Sequence, residues 1–427
     1  MEKVTNIRMR SLEDVVLKGR TVIFRPDINS PIDPKTKRIV NTNRLEKAAP
    51  TLKALLDGGA KVALIAHQGD TLDYQNLIPL AEHAQILSKF TGYEVAYLDD
   101  VCGPAAQERV RSLKEGQAVV LGNLRYLSEE ITAFEKEVKL KPSQMLDTWL
   151  IRSLAPLADL YVNDAFAAAH RNAPSMVAFQ ELLPTAGGMQ LVGEYTALSK
   201  VAAQPIHPCV FVLGGGKISD AFGMMRNVLE NKTADAILCG GITALVMLLA
   251  KGVPLGDATW NFLKDRDLLM FVEQAKSLLA SWPEAFVIPL DLAYEEGGKR
   301  LEATVETIAD SKHLQTKLFL DLGEKTIKRY KDLIAEAGSL FVNGPAGVYE
   351  DERFEKATKE IWSAIAQADG YTVVGGGDTI TAATRFTDLS QYSYVCTAGG
   401  AMVRFLSGKK LPLIEAMEKA WERESKE

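Results

Sequence analysis

Cys209-Val-Phe-Val-Leu-Gly-Gly-Gly-Lys-Ile-Ser-Asp220 passes from an apolar run into three glycines and then a lysine. Val210 to Leu213 reads as a buried strand, and Gly214 to Gly216 let the backbone approach a partner closely. Lys217 stands just before a helix start. Unpaired helix N–H groups, the positive end of the helix dipole and an ammonium together make an anion site. A glycine corner after a strand also serves as a plain tight turn. A second corner, Val373-Val-Gly-Gly-Gly-Asp-Thr-Ile-Thr381, argues for more, because Asp378 stands where the first has its lysine. A cation on one corner and a carboxylate on the other suit a nucleotide phosphate chain and its Mg²⁺.

Outward from this centre, short apolar runs alternate with longer stretches of helical spacing. Thr21-Val-Ile-Phe, Lys61 to Ala66, Glu94 to Leu98, Ala118 to Leu121 and Leu160 to Val162 read as strands; Asn43 to Leu56 and Leu77 to Lys89 read as helices. The alternation restarts at Pro208, with Ala236 to Cys239, Phe286 to Pro289, Ser339 to Val342 and Tyr371 to Val374. That pattern predicts parallel sheets with helices on both faces. The expected fold is therefore α/β: two doubly wound, Rossmann-like domains joined by a hinge helix near residues 190–205, their strand ends facing across a cleft. Ligands of such sheets sit beyond the carboxyl ends of the strands. In the first half Arg25, Asp27, Asn29, His67, Arg125, His170 and Arg171 fall there, with Arg44 opening a helix nearby. Together they form a basic crevice suited to a small ligand carrying phosphate and carboxylate.

The crevice is local, because the 427-residue chain carries a net charge of −6. An acidic protein is a poor partner for nucleic acid or an anionic membrane. Its length exceeds what one core serves. Cys102, Cys209, Cys239 and Cys396 are widely spaced and form no C-x-x-C pair, which reads as core thiols in a reducing cytoplasm. The N-terminus has no apolar signal core, and Ile242 to Ala250 is about half a membrane span. A dinucleotide fold would want G-x-G-x-x-G and a P-loop G-x-x-x-x-G-K-[ST]; neither corner fits either pattern.

The sequence resembles the phosphoglycerate kinases, its archaeal branch above all, along essentially the whole chain. The resemblance rests on Arg25-Pro-Asp-Ile-Asn-Ser-Pro-Ile-Asp-Pro, Ala66-His-Gln-Gly, Asn123-Leu-Arg-Tyr, Val162-Asn-Asp-Ala-Phe-Ala-Ala-Ala-His-Arg, Leu213-Gly-Gly-Gly-Lys, Asn343-Gly-Pro-Ala-Gly-Val-Tyr-Glu and Val374-Gly-Gly-Gly-Asp. It implies reversible, Mg²⁺-dependent phosphoryl transfer between ATP and 3-phosphoglycerate. It further implies that Asp27, Asn29, Arg44, His67, Arg125 and Arg171 hold 3-phosphoglycerate. Gly214, Lys217, Gly241, Pro345, Glu350, Gly375, Gly376, Gly377, Asp378 and Thr379 would hold ATP or ADP, with Glu350 on the ribose and Asp378 at Mg²⁺. Lys217 and Arg44 would be the catalytic pair.

The implied domains are 1–192 for 3-phosphoglycerate, 193–405 for nucleotide, and 406–427 returning to the first. A cytoplasmic monomer or weak dimer is expected. Four places depart from the family pattern: Asp70 for an arginine, followed by Thr71 rather than proline; Gly122 for a glutamate; Ala221 for a lysine; and Ala398-Gly-Gly-Ala401 for a run of three glycines. With Asp70 a presumed phosphate contact is lost, so Arg125 and Arg171 are expected to hold the phosphate. A paralogue acting on another carboxylate, or one binding nucleotide without turnover, is the alternative.

Overall fold

A computed structural model describes residues 8–69 and 77–426. Asp70, Thr71 and the following acid Asp73 lie outside the described residues. The chain divides into two compact units: one runs up to Thr196 and takes in the residues from Lys410 onward, and the other is Ala197–Lys409. The division falls inside the helix Met189–Ala203.

The first unit is built on a six-stranded sheet: β1 (Thr21–Pro26), β2 (Lys61–Leu64), β3 (Val95–Tyr97), β4 (Ala118–Val120), β5 (Leu160–Asp164) and β6 (Thr185–Gly187). They stand in the order β3-β4-β2-β1-β5-β6, every pair parallel. All six residues of β1 are buried, as a central strand covered on both faces requires. On one face Val22, Phe24, Val62, Leu64 and Val162 pack against Leu45, Leu52 and Leu55 of the helix Asn43–Asp57 and Leu87 of the helix Ala81–Thr91. That second helix starts four residues later than the sequence suggested, because Pro79 holds Ile78 out of helical conformation. The helix Pro412–Glu424 belongs to this unit. Leu413 N–H donates to Ala169 O at 3.2 Å, Arg423 donates to the carbonyls of Gln180 and Leu183, and Glu424 accepts from Thr185 N–H at 3.1 Å.

The second unit carries β7 (Cys209–Leu213), β8 (Ala236–Cys239), β9 (Phe286–Val287), β13 (Ser339–Asn343), β14 (Tyr371–Gly375) and β15 (Tyr394–Cys396), in the order β15-β14-β13-β7-β8-β9 and again all parallel. In each sheet the chain lays its early strands on one side of its first strand and then returns to that strand's other flank. The order reverses at β1/β5 and at β7/β13, the switch points where such sheets hold ligands.

The two parallel sheets are as expected, and a third, antiparallel sheet accompanies them. β10 (Asp291–Glu296), β11 (Lys299–Thr304) and β12 (Phe319–Leu322) form an antiparallel sheet in the order β11-β10-β12. Glu296 and Lys299 are paired across a two-residue turn in which Gly297 and Gly298 both have positive φ, of 58° and 78°. Only glycine, asparagine or aspartate adopts that turn readily. All four cysteines are buried and free. Among the described residues no helix is long and apolar enough to cross a membrane.

Candidate active site

In the first unit the polar side chains expected beyond the strands assemble around β1, β2, β4 and β5. Asp27 is buried and its Oδ2 accepts from Arg44 Nη1 at 2.5 Å, which aims a half-exposed guanidinium from the first turn of its helix. Asp27 Oδ1 also accepts from Asn29 N–H, and Asn29 Oδ1 accepts from Gly69 N–H at 3.0 Å. The loops after β1 and β2 are thereby tied together. Gln68 reinforces the tie, exchanging hydrogen bonds with both main-chain groups of Ser30 while Asn123 bridges Gln68 to the loop after β4.

Arg25, His67, Arg125 and Arg171 line one small pocket together with Glu130. Arg125 donates to the carbonyls of Glu130 at 2.6 Å and Gly69 at 3.3 Å, and Arg171 pairs with Glu135 at 2.7 Å. Glu130 is a buried carboxylate that accepts from both Ser175 N–H and Ser175 Oγ–H at 2.6 Å. Burial raises its pKa, and the Ser175 hydrogen bonds and the arginines Arg25 and Arg171 oppose that rise. His67 is driven well below the usual histidine range, first by burial and then by Arg25, Arg125, Arg171 and Arg44. The cluster is basic through its arginines, and His67 stands in it uncharged. Neither Glu130 nor Ser175 was singled out in the sequence, because their partners lie 45 residues apart and no local motif joins them.

In the second unit the glycine corners after β7, β8 and β13 meet backbone to backbone. Gly215 N–H donates to Pro345 O and Gly241 N–H to Ala346 O, each at 2.7 Å. A Cβ on Gly214 would stand 2.2 Å from Pro345 O, so no other residue fits at that crossing. Two adjoining cavities open on this floor. The smaller, about 100 Å³, is polar and takes its walls from Gly214–Lys217, Asp220, Asn343, Gly344, Gly376–Thr379, Gly399 and Gly400. The helices Ile218–Glu230, Gly377–Phe386 and Gly399–Leu406 all begin at it. Three N-termini, each equivalent to about half a positive charge, and the Lys217 ammonium make an anion-binding hollow. Lys217 Nζ lies 3.5 Å from Asp378 Oδ2, and both side chains are mostly exposed.

The larger cavity, about 220 Å³, is apolar, with Ile242, Leu245, Phe262, Leu292 and Phe319 among its walls and Glu350 on its lining. The two share Gly215 and Gly216. An apolar cavity beside an anion-binding hollow suits a ligand with one apolar and one negatively charged part.

Of the residues expected here, Gly214, Lys217, Gly241, Pro345, Glu350, Gly376, Gly377, Asp378 and Thr379 line one cavity or the other. Gly375 ends β14 and gives its carbonyl to Asn343 Nδ2 at 2.8 Å. The Thr379 hydroxyl is occupied as acceptor from Gly344 N–H at 2.7 Å, a brace between corners. Gly399 and Gly400, which the sequence presented only as part of a shortened glycine run, are wall residues of the anion hollow. The antiparallel sheet supplies Leu292 and Phe319, which no glycine signal could have pointed to.

Known proteins resemble this chain along nearly its whole length. The family model described as phosphoglycerate kinase matches residues 12–409. The chain is 38% identical to the phosphoglycerate kinase of Sulfurisphaera tokodaii over 426 residues, covering 100% of this chain and 99% of the relative. It is 40% identical to that of Thermococcus onnurineus over 419 residues, covering 97% and 98%. The crystal structure of phosphoglycerate kinase from Pyrococcus horikoshii OT3 superposes with a TM-score of 0.85 at 33% identity, covering 97% of this chain and all of that one.

Proposed function

The chain belongs to the phosphoglycerate kinase family and catalyses reversible phosphoryl transfer between ATP and the carboxyl group of 3-phosphoglycerate, and from that premise we propose how its residues divide the work. Asp27, Asn29, Arg44, His67, Arg125 and Arg171 receive 3-phosphoglycerate. Gly214, Lys217, Gly241, Pro345, Glu350 and Gly376–Thr379 receive the nucleotide, its base in the apolar cavity and its phosphates in the anion hollow. The observation that carries the division is the convergence of three helix N-termini and Lys217 on one side of the second unit's switch point.

The acceptor carboxylate has a pKa near 3.5 and is already an anion at neutral pH, so no general base is required. The obstacle is repulsion between that anion and the γ-phosphate, whose charge spreads over its equatorial oxygens during transfer. Lys217 meets that charge from the nucleotide side. Arg44, aimed by Asp27, meets it from the acid's side. Donors fixed beforehand cost no reorganisation when the charge develops.

Asp378 suits Mg²⁺, which takes one or two protein carboxylates and is otherwise held by substrate phosphates and water. Among the described residues no cluster of three metal-ligating side chains occurs, which fits an ion brought in with the nucleotide. Bound there, Mg²⁺ would neutralise phosphate charge. The four buried free thiols suit a cytoplasmic protein, and we take it to act as a monomer or weak dimer.

The test supplies ATP, Mg²⁺ and 3-phosphoglycerate with a dehydrogenase that consumes the acyl phosphate. Turnover that needs all three is expected. Nucleotide binding without turnover would overturn the assignment.

A further inference from the structure

Arg25 is a buried cation with three hydrogen bonds: Nη1 to Pro26 O at 2.5 Å, Nε to Ser175 Oγ at 3.3 Å, and Nη2 to His67 Nδ1 at 2.9 Å. A guanidinium has five N–H donors and no acceptor. In the contact with His67, Nδ1 must therefore be the acceptor, and the ring proton must sit on Nε2. Among the described residues Nε2 has no hydrogen-bond partner. Protonating Nδ1 would break the Arg25 contact and set two cations within 3 Å of each other. Apart from the neutral Tyr161 hydroxyl, whose pKa burial raises, the groups acting on His67 and Arg25 among the described residues are the charged Arg44, Arg125, Arg171, Asp27 and Glu130. Only Glu130 and Asp27 among them are acidic, and both are occupied: Glu130 by Ser175, Asp27 by Arg44 and Asn29.

We infer that Arg25 clamps His67 in its Nε2–H tautomer, so that the histidine offers the acid substrate a neutral hydrogen-bond donor rather than a charge, and that Glu130 and Ser175 hold Arg25 in the clamping position. The chain of contacts runs Glu130, Ser175, Arg25, His67, all buried. Ser175 accepts from Arg25 while donating to Glu130, so one hydroxyl couples the carboxylate to the guanidinium. Glu130 and Ser175 act through Arg25 and are positioning residues. The inference rests on His67 belonging to the 3-phosphoglycerate site, as proposed above, only for its consequence. The tautomer itself is a property of the protein without substrate.

Histidine-selective ¹⁵N labelling of the full chain tests it, the His67 signal being identified by its loss in His67→Gln. The Nε2–H signature should persist without titration from about pH 5.5 to about pH 8, a range that brackets the ordinary histidine pKa. A doubly protonated ring appearing in that range, or a signal from Nδ1–H, overturns the clamp. Ser175→Ala should then release it: His67 begins to titrate, and KM for 3-phosphoglycerate rises roughly fivefold, about 1 kcal/mol, with kcat within about twofold. Should that variant fail to fold, the wild-type spectrum alone decides. A persistent Nε2–H tautomer in a protein that does not turn over 3-phosphoglycerate would uphold the clamp and sink the substrate assignment. Turnover with a titrating His67 would do the reverse.

Discussion

Lys217 Nζ lies 3.5 Å from Asp378 Oδ2, so one ion pair joins the two glycine corners of the second unit. Both side chains are mostly exposed, and such pairs contribute little to stability. Each is free to exchange its partner for a ligand, the ammonium for phosphate and the carboxylate for a cation.

Replacing Lys217 or Arg44 by Ala should therefore lower kcat by roughly 10² to 10³, the scale of losing one preorganised donor to transition-state charge. Michaelis constants should change less, because the charge met is largest during transfer. Steady-state kinetics on both substrates separates the two. A variant that raised only KM would remove the residue from the catalytic role.

Asp378→Asn keeps the shape of the corner and removes the cation's ligand. The Mg²⁺ concentration for half-maximal rate should rise roughly tenfold, about 1.4 kcal/mol. Titrating the metal at saturating nucleotide measures it, and an unchanged metal requirement would relocate the cation.

Gly214→Ala drives a methyl group against the Pro345 carbonyl, 2.2 Å from its ideal position. Overpacking of this kind costs about 1–3 kcal/mol. Because the floor of both cavities moves with it, nucleotide affinity should fall with stability. Thermal unfolding and calorimetric titration of ATP read the two effects, and an unaltered affinity would place the nucleotide elsewhere.

Asp321 gives a dependence on pH. It is buried beside Arg300 and the Ala357 N–H, and burial raises its pKa to about 7. The unfolded carboxyl has a pKa near 3.9. Between these values the folded protein holds a proton that the unfolded chain has released, so this group's contribution to stability falls as pH rises from about 4 to about 7. Asp321→Asn removes that loss. Denaturant unfolding near pH 5 and near pH 8 should show the variant gaining on the wild type at the higher pH by a few kcal/mol at most. An equal difference at both would contradict the sign.

Much of this arrangement was legible because it rests on local chemistry. The apolar runs Val210 to Leu213 and Val373 to Val374 fall in interior strands; of the glycines after them Gly214 has no room for a side chain, Gly215 and Gly376 have positive φ, and Gly377 begins a helix. The hairpin at Gly297-Gly298 carried its own signal, two glycines between paired residues, yet the charged Glu295, Glu296, Lys299 and Arg300 flank it and only the short run Leu292 to Tyr294 is apolar. β11 is exposed or half-buried along its whole length, so no buried apolar run marks it. Glu130 and Ser175 were invisible for a different reason: a buried hydrogen bond between distant residues leaves no trace in spacing.

The helix Pro412–Glu424 completes the first unit although it is made after all of the second. The stretch Ala197–Lys409 is contiguous in the chain, whereas the first unit is made in two pieces. The first unit, begun some two hundred residues earlier, must wait with its β6 flank uncovered until residues 412–424 have cleared the exit tunnel. Domains commonly mature from the N-terminus onward as the chain is made. This chain's topology holds back completion of the earlier half until the later one has been made.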